Sequence, residues 1–286
     1  PYSLGGAMTE RVVECSRALA LSLGTRGLVN IQYLTYKGEL YVIEVNPRAS
    51  RTVPYLSKIS GLHMADAATR VMMGESLESL GLADGLAAPP EYVGVKVPVF
   101  SFEKMPDANS LLGPEMKSTG EVLGIGRTFT EALYKGLTAA GFRFVSDHGE
   151  ARRGVLLSIE NRQLGEIGPL AERLYAEGLN FYATPDTAAE LRRLGFYAFD
   201  IGHVTRTAET GGLLERAGIG LVIYTGALHD DTMGDYTRLH FEAVRRGIPV
   251  LTSIDTALAA AGLLAEHLTE DSTGLIDVSG IRRRAE

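Results

Sequence analysis

The segment Ile43-Glu44-Val45-Asn46-Pro47-Arg48 carries a carboxylate, a carboxamide and a guanidinium at every second position. The residues between and before them are strand formers, and side chains two apart on a strand point the same way. Glu44, Asn46 and Arg48 are therefore predicted to line one face, until Pro47 stops the hydrogen-bond ladder. Polar groups gathered in this way are costly to bury without a ligand. The face predicts a site for a metal ion and an anion.

A hairpin is predicted to bring a fourth polar group to this face. Residues 29–34 favour a strand, and Tyr36-Lys37-Gly38-Glu39 is typical of a hairpin turn. If the turn places Gln32 opposite Glu44, their Cβ atoms lie roughly 4.5–5.5 Å apart. One metal ion fits this set only loosely, whereas two hard cations about 3.5–4 Å apart, bridged by Glu44, fit it better. Oxygen ligands with one carboxylate favour Mg²⁺ held partly by nucleotide phosphates.

The composition is that of an ordinary globular protein with about two domains: 286 residues, 45% hydrophobic and 22% charged. A net charge of −7 argues against a nucleic-acid-binding surface. No apolar run approaches a membrane span, and the lone Cys15 fits a reducing cytoplasm and a buried structural thiol. The chain begins at Pro1 rather than methionine, so we expect a piece of something larger.

The elements needed to hold the hairpin divide the chain into two predicted domains, residues 1–145 and 154–286, joined by a polar linker at 146–153. Before the linker we expect a helix from Thr9 to Leu23 with Thr9 as N-cap, largely helical structure from Pro54 to Met73, a strand at 93–100 and a helix at 129–140. After it, strands and helices alternate, which indicates a parallel sheet covered by helices on both faces. The expected strands are 154–159, 180–183, 197–201, 221–224 and 249–252, and the expected helices include 167–177, 186–194, 236–246 and 255–268.

Thr184 and Thr187 follow the second of these strands, at the start of a helix. Ligands of parallel sheets bind at the carboxyl ends of the strands, and two hydroxyls beside free helix N–H groups would form an anion site. Simple capping of the helix by Thr184 is the alternative.

The hairpin residues resemble the metal-binding hairpin of ATP-grasp ligases. The longer run from Glu44 to Pro54 is similar to the large subunit of carbamoyl phosphate synthetase, and the run from Leu112 to Val122 to the carbamate-phosphorylating half of that subunit. The resemblance implies an α/β chain: the C-terminal part of an ATP-grasp fold followed by a Rossmann-like, methylglyoxal-synthase-like allosteric domain.

The resemblance also implies roles for individual residues. Gln32, Glu44 and Asn46 would hold Mg²⁺ or Mn²⁺ with ATP, Arg48 would stabilise the transferring phosphoryl group, and Arg51 would meet carbamate, a surface ion pair being the alternative for Arg51. Thr184, Thr187, His203 and Thr225 match the effector-nucleotide site, with His203 standing where a lysine is usual. The pair associated with ornithine is Asp255 and Thr256. Val97 replaces the glutamate of ornithine-activated members, which removes a charge-assisted bond to an ammonium group, so the sequence leaves regulation by ornithine open.

The implied activity is ATP-dependent phosphorylation of carbamate to carbamoyl phosphate, for pyrimidine and arginine biosynthesis in the cytoplasm. The implied cofactors are ATP and Mg²⁺ or Mn²⁺, with K⁺ as a further candidate. The implied partners are a glutaminase small subunit, the remainder of the large subunit, a nucleotide effector and other copies in an oligomer, with no nucleic acid and no membrane. Because the glycine-rich loop and the adenine slot of an ATP-grasp site are not found in this sequence, we expect the chain alone to be inactive.

Two other functions fit parts of the sequence. The chain could be a purely regulatory module whose working site is the one near Thr184. A methylglyoxal-synthase-like lyase is the other, but the segment Ala183-Thr184-Pro185-Asp186-Thr187 does not reproduce that enzyme's phosphate loop.

Overall fold

The computed structural model describes residues 4–82, 84–101, 116–143, 152–202, 210–225 and 233–281. Its backbone contacts define two compact units, residues 1–93 with 275–286 and residues 94–274. Of the predicted linker only Arg152 and Arg153 are described, so the predicted domain boundaries stay a prediction. In the ranges given above, no helix is both long and apolar enough to cross a bilayer.

The first unit contains the hairpin and three helices. The elements are α1 (Gly6–Ser22), β1 (Asn30–Tyr36), β2 (Glu39–Asn46), α2 (Thr52–Ser60) and α3 (Met64–Met72), followed by a short 3₁₀ helix at Glu78–Leu80. β1 and β2 pair antiparallel. The hairpin turns at Lys37 and Gly38, which both have positive φ values (50° and 78°), as a tight two-residue hairpin turn requires.

The prediction for the first helix of this unit is wrong in detail. The first helix begins at Gly6 with Gly5 as N-cap, and Thr9 lies inside it, where its hydroxyl donates back to the Gly5 carbonyl (3.1 Å). The prediction of largely helical structure from Pro54 to Met73 is confirmed. The stretch contains two helices, because Gly61 adopts a left-handed conformation (φ 66°) that ends the first. Cys15 is only half-buried, since α1 has no fully buried residue.

Two strands and a helix come next: β3 (Val93–Val99), whose residues from Gly94 onward belong to the second unit, β4 (Gly120–Gly126) and α4 (Phe129–Ala139). β4 was not predicted as a strand. Its glycines allow α4 to pack directly on the strand backbone: a Cβ atom built on Gly124 would lie 1.9 Å from the Ala132 carbonyl oxygen. Thr128 caps the helix by accepting a hydrogen bond from the Glu131 backbone N–H (3.1 Å).

The rest of this unit is a five-stranded parallel sheet with the order β7-β6-β5-β8-β9. The strands are β5 (Gly154–Ser158), β6 (Asn180–Ala183), β7 (Ala198–Asp200), β8 (Ile219–Tyr224) and β9 (Val250–Leu251); the helices are α5 (Gly168–Ala176), α6 (Pro185–Arg193), α7 (Thr210–Arg216), α8 (Met233–Arg245) and α9 (Ile254–Ala265). The order reverses at β5, as in doubly wound folds. The predicted α/β class with a Rossmann-like parallel sheet is confirmed.

Both faces of the sheet are buried, as a parallel sheet requires. Val155 and Leu157 contribute to one core with residues of α4, α5, α6 and α9, whereas Leu156 points to the opposite core with residues of α7 and α8. All three side chains are at most 1% exposed. This rigid sheet fixes the positions of the loops that follow its strands.

Candidate functional site

The hairpin brings together three of the polar residues predicted from the sequence. Gln32 lies opposite Glu44, and Asn30 lies opposite Asn46. The amide nitrogen of Gln32 donates to Oε1 of Glu44 at 2.7 Å, and that of Asn46 donates to the same oxygen at 2.8 Å. The side-chain amides of Gln32 and Asn46 therefore converge on one carboxylate oxygen of Glu44. We call Gln32, Glu44 and Asn46 the hairpin trio.

The register that places Gln32 opposite Glu44 depends on an irregularity in the hairpin. Tyr36 pairs with Glu39 and Tyr33 with Val42, which by itself would place Gln32 opposite Ile43. A register shift between Gln32 and Tyr33 leaves Ile43 unpaired and moves Glu44 into line. Ile43 is 62% exposed. Such a bulge re-aims the side chains that follow it, and bulges are frequent beside functional sites.

The donor set of the hairpin trio fits a hard divalent cation. A carboxylate and two carboxamides offer only oxygen atoms as ligands, which Mg²⁺ and Mn²⁺ prefer. The amide nitrogens now point at the carboxylate, and a half-turn of each amide group would present its oxygen instead. Gln32 and Glu44 are exposed and Asn46 is half-buried, so an ion can reach them. The described residues contain no cluster of three His, Cys, Asp or Glu suited to a metal, so a set built on amides is the candidate.

Arg48 and Arg51 lie beyond the strand rather than on it. β2 ends at Asn46, and the Arg48 N–H donates to the Asn46 carbonyl (2.8 Å) in a tight turn at Pro47. The prediction that Arg48 continues the strand face is therefore wrong, because the chain turns before reaching it. The Arg48 guanidinium donates to the Ala49 carbonyl (3.1 Å), and Arg51 is the N-cap of α2. Both arginines are exposed, and both follow Glu44 in the sequence by no more than seven residues.

A second cluster of polar side chains lies at the carboxyl ends of β5, β6 and β8. Thr184 donates to the hydroxyl oxygens of Thr187 (3.3 Å) and Ser158 (3.5 Å). Thr187 is fully buried. Thr225 follows β8, and its backbone N–H donates to the Ser158 carbonyl (3.0 Å). We call Ser158, Thr184, Thr187 and Thr225 the hydroxyl cluster.

Two of these hydroxyls also hold the backbone in place. The Ile159 N–H donates to Oγ1 of Thr187 (3.0 Å), and the Glu160 N–H donates to Oγ1 of Thr225 (2.9 Å). A hydroxyl that accepts a hydrogen bond still has its own proton to donate. The cluster therefore presents donors at the edge where parallel sheets bind ligands. Thr184 is the N-cap residue of α6 but makes no side-chain capping bond, so simple capping, the alternative reading of Thr184, is wrong.

The remaining residues of the predicted effector site are described only in part. His203 lies outside the described residues. Thr256 is in the first turn of α9, where its backbone N–H donates to the capping hydroxyl of Ser253 (3.1 Å). Asp255, beside it, is exposed. Thr256 and the buried Val97 line the same cavity beside β9, whereas Asp255 does not.

Sequence reasoning missed Ser158 and the cavity. Ser158 is the last residue of β5, and a polar residue at the carboxyl end of a predicted parallel strand was a signal that could have found it. The cavity beside β9 is lined by residues of five separate elements, so no local sequence motif predicts it.

Comparison with known proteins identifies the relatives of the chain. Residues 4–80 match the family model described as carbamoyl-phosphate synthase L chain, ATP binding domain. The chain is 43% identical over 265 residues to the carbamoyl phosphate synthase large chain of Clostridium perfringens (strain 13 / Type A), covering 92% of this chain and 24% of the relative. It is 39% identical over 274 residues to that of Clostridium botulinum (strain Loch Maree / Type A3), covering 94% and 25%.

These matches confirm the resemblance to the large subunit of carbamoyl phosphate synthetase. The homology extends across nearly the whole chain and includes both the hairpin trio and the parallel sheet. The chain spans about a quarter of the length of these curated relatives.

Proposed function

We propose that this chain, a segment of the carbamoyl phosphate synthase large-chain family, contributes the metal-binding and phosphoryl-transfer residues of an ATP-dependent ligase. The observation that carries the proposal is the convergence of Gln32 and Asn46 on one oxygen of Glu44. The trio lies inside the region that matches an ATP-binding domain, residues 4–80. The substrate that we propose is carbamate, with carbamoyl phosphate as the product.

The hairpin trio would hold Mg²⁺ or Mn²⁺, which neutralises phosphate charge as the γ-phosphoryl group moves. Phosphoryl transfer depends mainly on positioning and charge, which suits residues that contribute ligands and no nucleophile. Arg48 would stabilise the equatorial oxygens of the phosphoryl group with its planar fork of donors. Arg51, three residues further along the chain and the N-cap of α2, would orient the carbamate carboxylate.

Several finer features belong to the same proposal. Activity would require the remainder of the large chain, because this chain spans about a quarter of its relatives; ATP turnover by the 286 residues alone would contradict this. A glutaminase small subunit would supply ammonia, and the product would serve pyrimidine and arginine synthesis in the cytoplasm. K⁺ is a further candidate cofactor, and the working protein would be an oligomer.

The experiment uses the full-length large chain and follows the reverse reaction, formation of ATP from ADP and carbamoyl phosphate. Gln32→Ala should raise the Mg²⁺ concentration needed for half-maximal rate by about 10–100-fold, as loss of a group that supports a metal typically does. Glu39→Gln, on the same hairpin but at its turn, is the matched control and should leave the metal dependence unchanged. An unchanged Mg²⁺ dependence in Gln32→Ala would remove Gln32 from the site.

The hydroxyl cluster supports a second, regulatory function: binding of the phosphate of an effector nucleotide. Its hydroxyl donors meet at the carboxyl edge of the sheet, beside the N-terminal N–H groups of α6, where an anion is stabilised by the helix dipole. Calorimetry with pyrimidine and purine nucleotides tests this. Thr184→Val should abolish binding, whereas Thr187→Ser, which keeps the hydroxyl, should retain it.

A further inference from the structure

Side chains of helix α1 contact the hairpin at two places. Near the turn, the Arg11 guanidinium donates to the Gly38 carbonyl (3.0 Å) and to Oε2 of Glu39 (2.9 Å). In the middle of the hairpin, the hydroxyl oxygens of Ser16 and Tyr33 lie 2.7 Å apart. We call this second contact the Ser16–Tyr33 bridge. Helix α1 therefore holds the hairpin at a point within the strands as well as at the turn.

The direction of the hydrogen bonds in the Ser16–Tyr33 bridge follows from the partners of Ser16. The Ser16 hydroxyl donates its single proton to the Val12 carbonyl (2.7 Å), so its oxygen accepts the hydrogen bond from the Tyr33 hydroxyl. Burial raises the pKa of Tyr33 above its ordinary value of 10, and the hydroxyl therefore keeps this proton at neutral pH. The bridge thus connects the hairpin to the backbone of α1 through two hydrogen bonds in series.

Tyr33 occupies the position in β1 at which the hairpin is irregular. It pairs with Val42, and the register shift that leaves Ile43 unpaired lies between Gln32 and Tyr33. Neighbouring residues of a strand point to opposite faces, so Tyr33 faces α1 while Gln32 faces Glu44. A bulge disrupts the ladder locally and bends its strand. The backbone ladder therefore holds this part of the hairpin less firmly than the regular part near the turn.

The two contacts with α1 differ in their exposure to water. The side chains of Arg11 and Glu39 are 46% and 62% exposed, and ion pairs in such places contribute little to stability. Ser16 and Tyr33 are both half-buried, where a hydrogen bond is stronger because water competes less for the hydroxyls. The Ser16–Tyr33 bridge is therefore the contact suited to fixing the orientation of the bulge.

We propose that Tyr33 is a positioning residue for the metal ion of the hairpin trio. It acts through its neighbour Gln32, because its hydrogen bond to Ser16 holds the bulge in the conformation that keeps Gln32 opposite Glu44. The inference rests on the proposed metal-binding function of the trio. Groups that orient metal ligands without touching the metal typically contribute about 10–100-fold to metal affinity. Loss of the bridge should therefore weaken metal binding and leave the rate at saturating metal unchanged.

The first test is Tyr33→Phe in the full-length large chain, which removes the hydroxyl and keeps the ring. In the presence of ADP, Tyr33→Phe should weaken Mn²⁺ binding about tenfold. The EPR signal of free Mn²⁺ measures this binding without turnover. Formation of ATP from ADP and carbamoyl phosphate should need correspondingly more Mn²⁺ for its half-maximal rate and reach the wild-type rate at saturation. The matched control is Tyr36→Phe, which alters a 57% exposed tyrosine of the same strand and should leave Mn²⁺ binding unchanged.

Substitutions of Ser16 test whether Tyr33 acts through the bridge. Ser16→Ala should weaken Mn²⁺ binding as much as Tyr33→Phe does. The double variant should bind no more weakly than either single variant, because all three lack the same contact. Ser16→Thr keeps the accepting oxygen and should bind Mn²⁺ as the wild type does. Losses that add in the double variant would show that the two residues act independently and would overturn the inference.

Gln32→Ala, measured in the same Mn²⁺ titration, separates failure of this inference from failure of the proposed function. If Gln32→Ala weakens Mn²⁺ binding and Tyr33→Phe does not, the bridge is purely structural and the inference is overturned, whatever urea unfolding shows for the stability of Tyr33→Phe. If neither substitution changes Mn²⁺ binding, the trio is not the metal site, and the proposed function falls together with the inference.

Discussion

The hairpin trio and the hydroxyl cluster are both small groups of polar side chains, but they relate to the fold in opposite ways. The trio's side-chain bonds run among its own members, and Gln32 and Glu44 are exposed. In the cluster, Thr187 is fully buried and accepts a hydrogen bond from the backbone of Ile159. Substitutions in the hairpin trio should therefore lower activity without changing the free energy of unfolding. In the hydroxyl cluster, the same atoms serve both ligand binding and folding, so substitutions should affect both.

The largest effect on activity without loss of stability is expected at Arg48, which lies two residues beyond the hairpin trio. In the full-length protein, Arg48→Met should lower the rate of ATP formation from ADP and carbamoyl phosphate on the order of 10³-fold, because a guanidinium at a transferring phosphoryl group is worth that much or more. The free energy of unfolding, measured with denaturant, should change by less than about 0.5 kcal/mol, since the Arg48 side chain is exposed. A stability loss that accounted for the lost rate would break the comparison.

In the cluster, Thr187→Val should reduce the free energy of unfolding by about 1–3 kcal/mol. The reason is that the Ile159 N–H then loses its partner in a buried place, at the cost of leaving a donor unsatisfied. Thr187→Ser keeps the accepting oxygen and should recover most of the loss. Urea unfolding of both variants measures the difference, and equal stability of Val and Ser variants would show that the hydroxyl has no structural part.

A smaller loss of stability is expected at low pH, from protonation of His240. Burial lowers the pKa of His240 below the ordinary value of 6.5, so the unfolded chain binds a proton more readily than the folded one. The stabilisation is therefore complete above about pH 6.5 and is lost as the pH falls below it. Urea unfolding of the chain between pH 7 and 5 should show this decline. His240→Gln, which cannot titrate, should lose less stability over the same interval; an identical slope would contradict the assignment to His240.

The smallest effect on stability is expected at Thr184. Its hydroxyl meets only other hydroxyls, at 3.3 and 3.5 Å, and does not cap α6. Thr184→Val should therefore change the free energy of unfolding by no more than about 0.5 kcal/mol. Comparison of its urea unfolding with that of Thr187→Val measures how far the structural role is confined to Thr187.

Much of the fold could be predicted because its signals are local. Alternating strands and helices predicted the parallel sheet, and the segment Asn180–Ala183 was predicted to the residue. β4 was not predicted because Gly120, Gly124 and Gly126 obscure the strand pattern. The close contact with α4 is what requires glycine at positions 124 and 126. The break at Gly61 escaped because a glycine inside an apolar helical pattern does not by itself reveal a left-handed conformation.

The candidate site was predictable for residues that share one strand or one turn. Glu44 and Asn46 follow from strand alternation. Gln32 opposite Glu44 depended on the bulge at Ile43, which no residue type signals. The position of Arg48 depended on a turn that ends the strand at Asn46, two residues earlier than the pattern required. Ser158 and the cavity beside β9 arise from distant parts of the chain, so their assembly is decided by topology.

The most direct test of the account is the Glu44→Gln substitution in the full-length protein, measured for both reverse reaction rate and unfolding. The substitution keeps the shape and hydrogen bonding of the side chain but removes the charge on which both amides converge. The predicted result is a rate reduced on the order of 10²–10³-fold, since metal-ion charge stabilisation is worth several kcal/mol, with unfolding unchanged. A Glu44→Gln protein that forms ATP from ADP and carbamoyl phosphate at the unaltered rate would contradict the central claim.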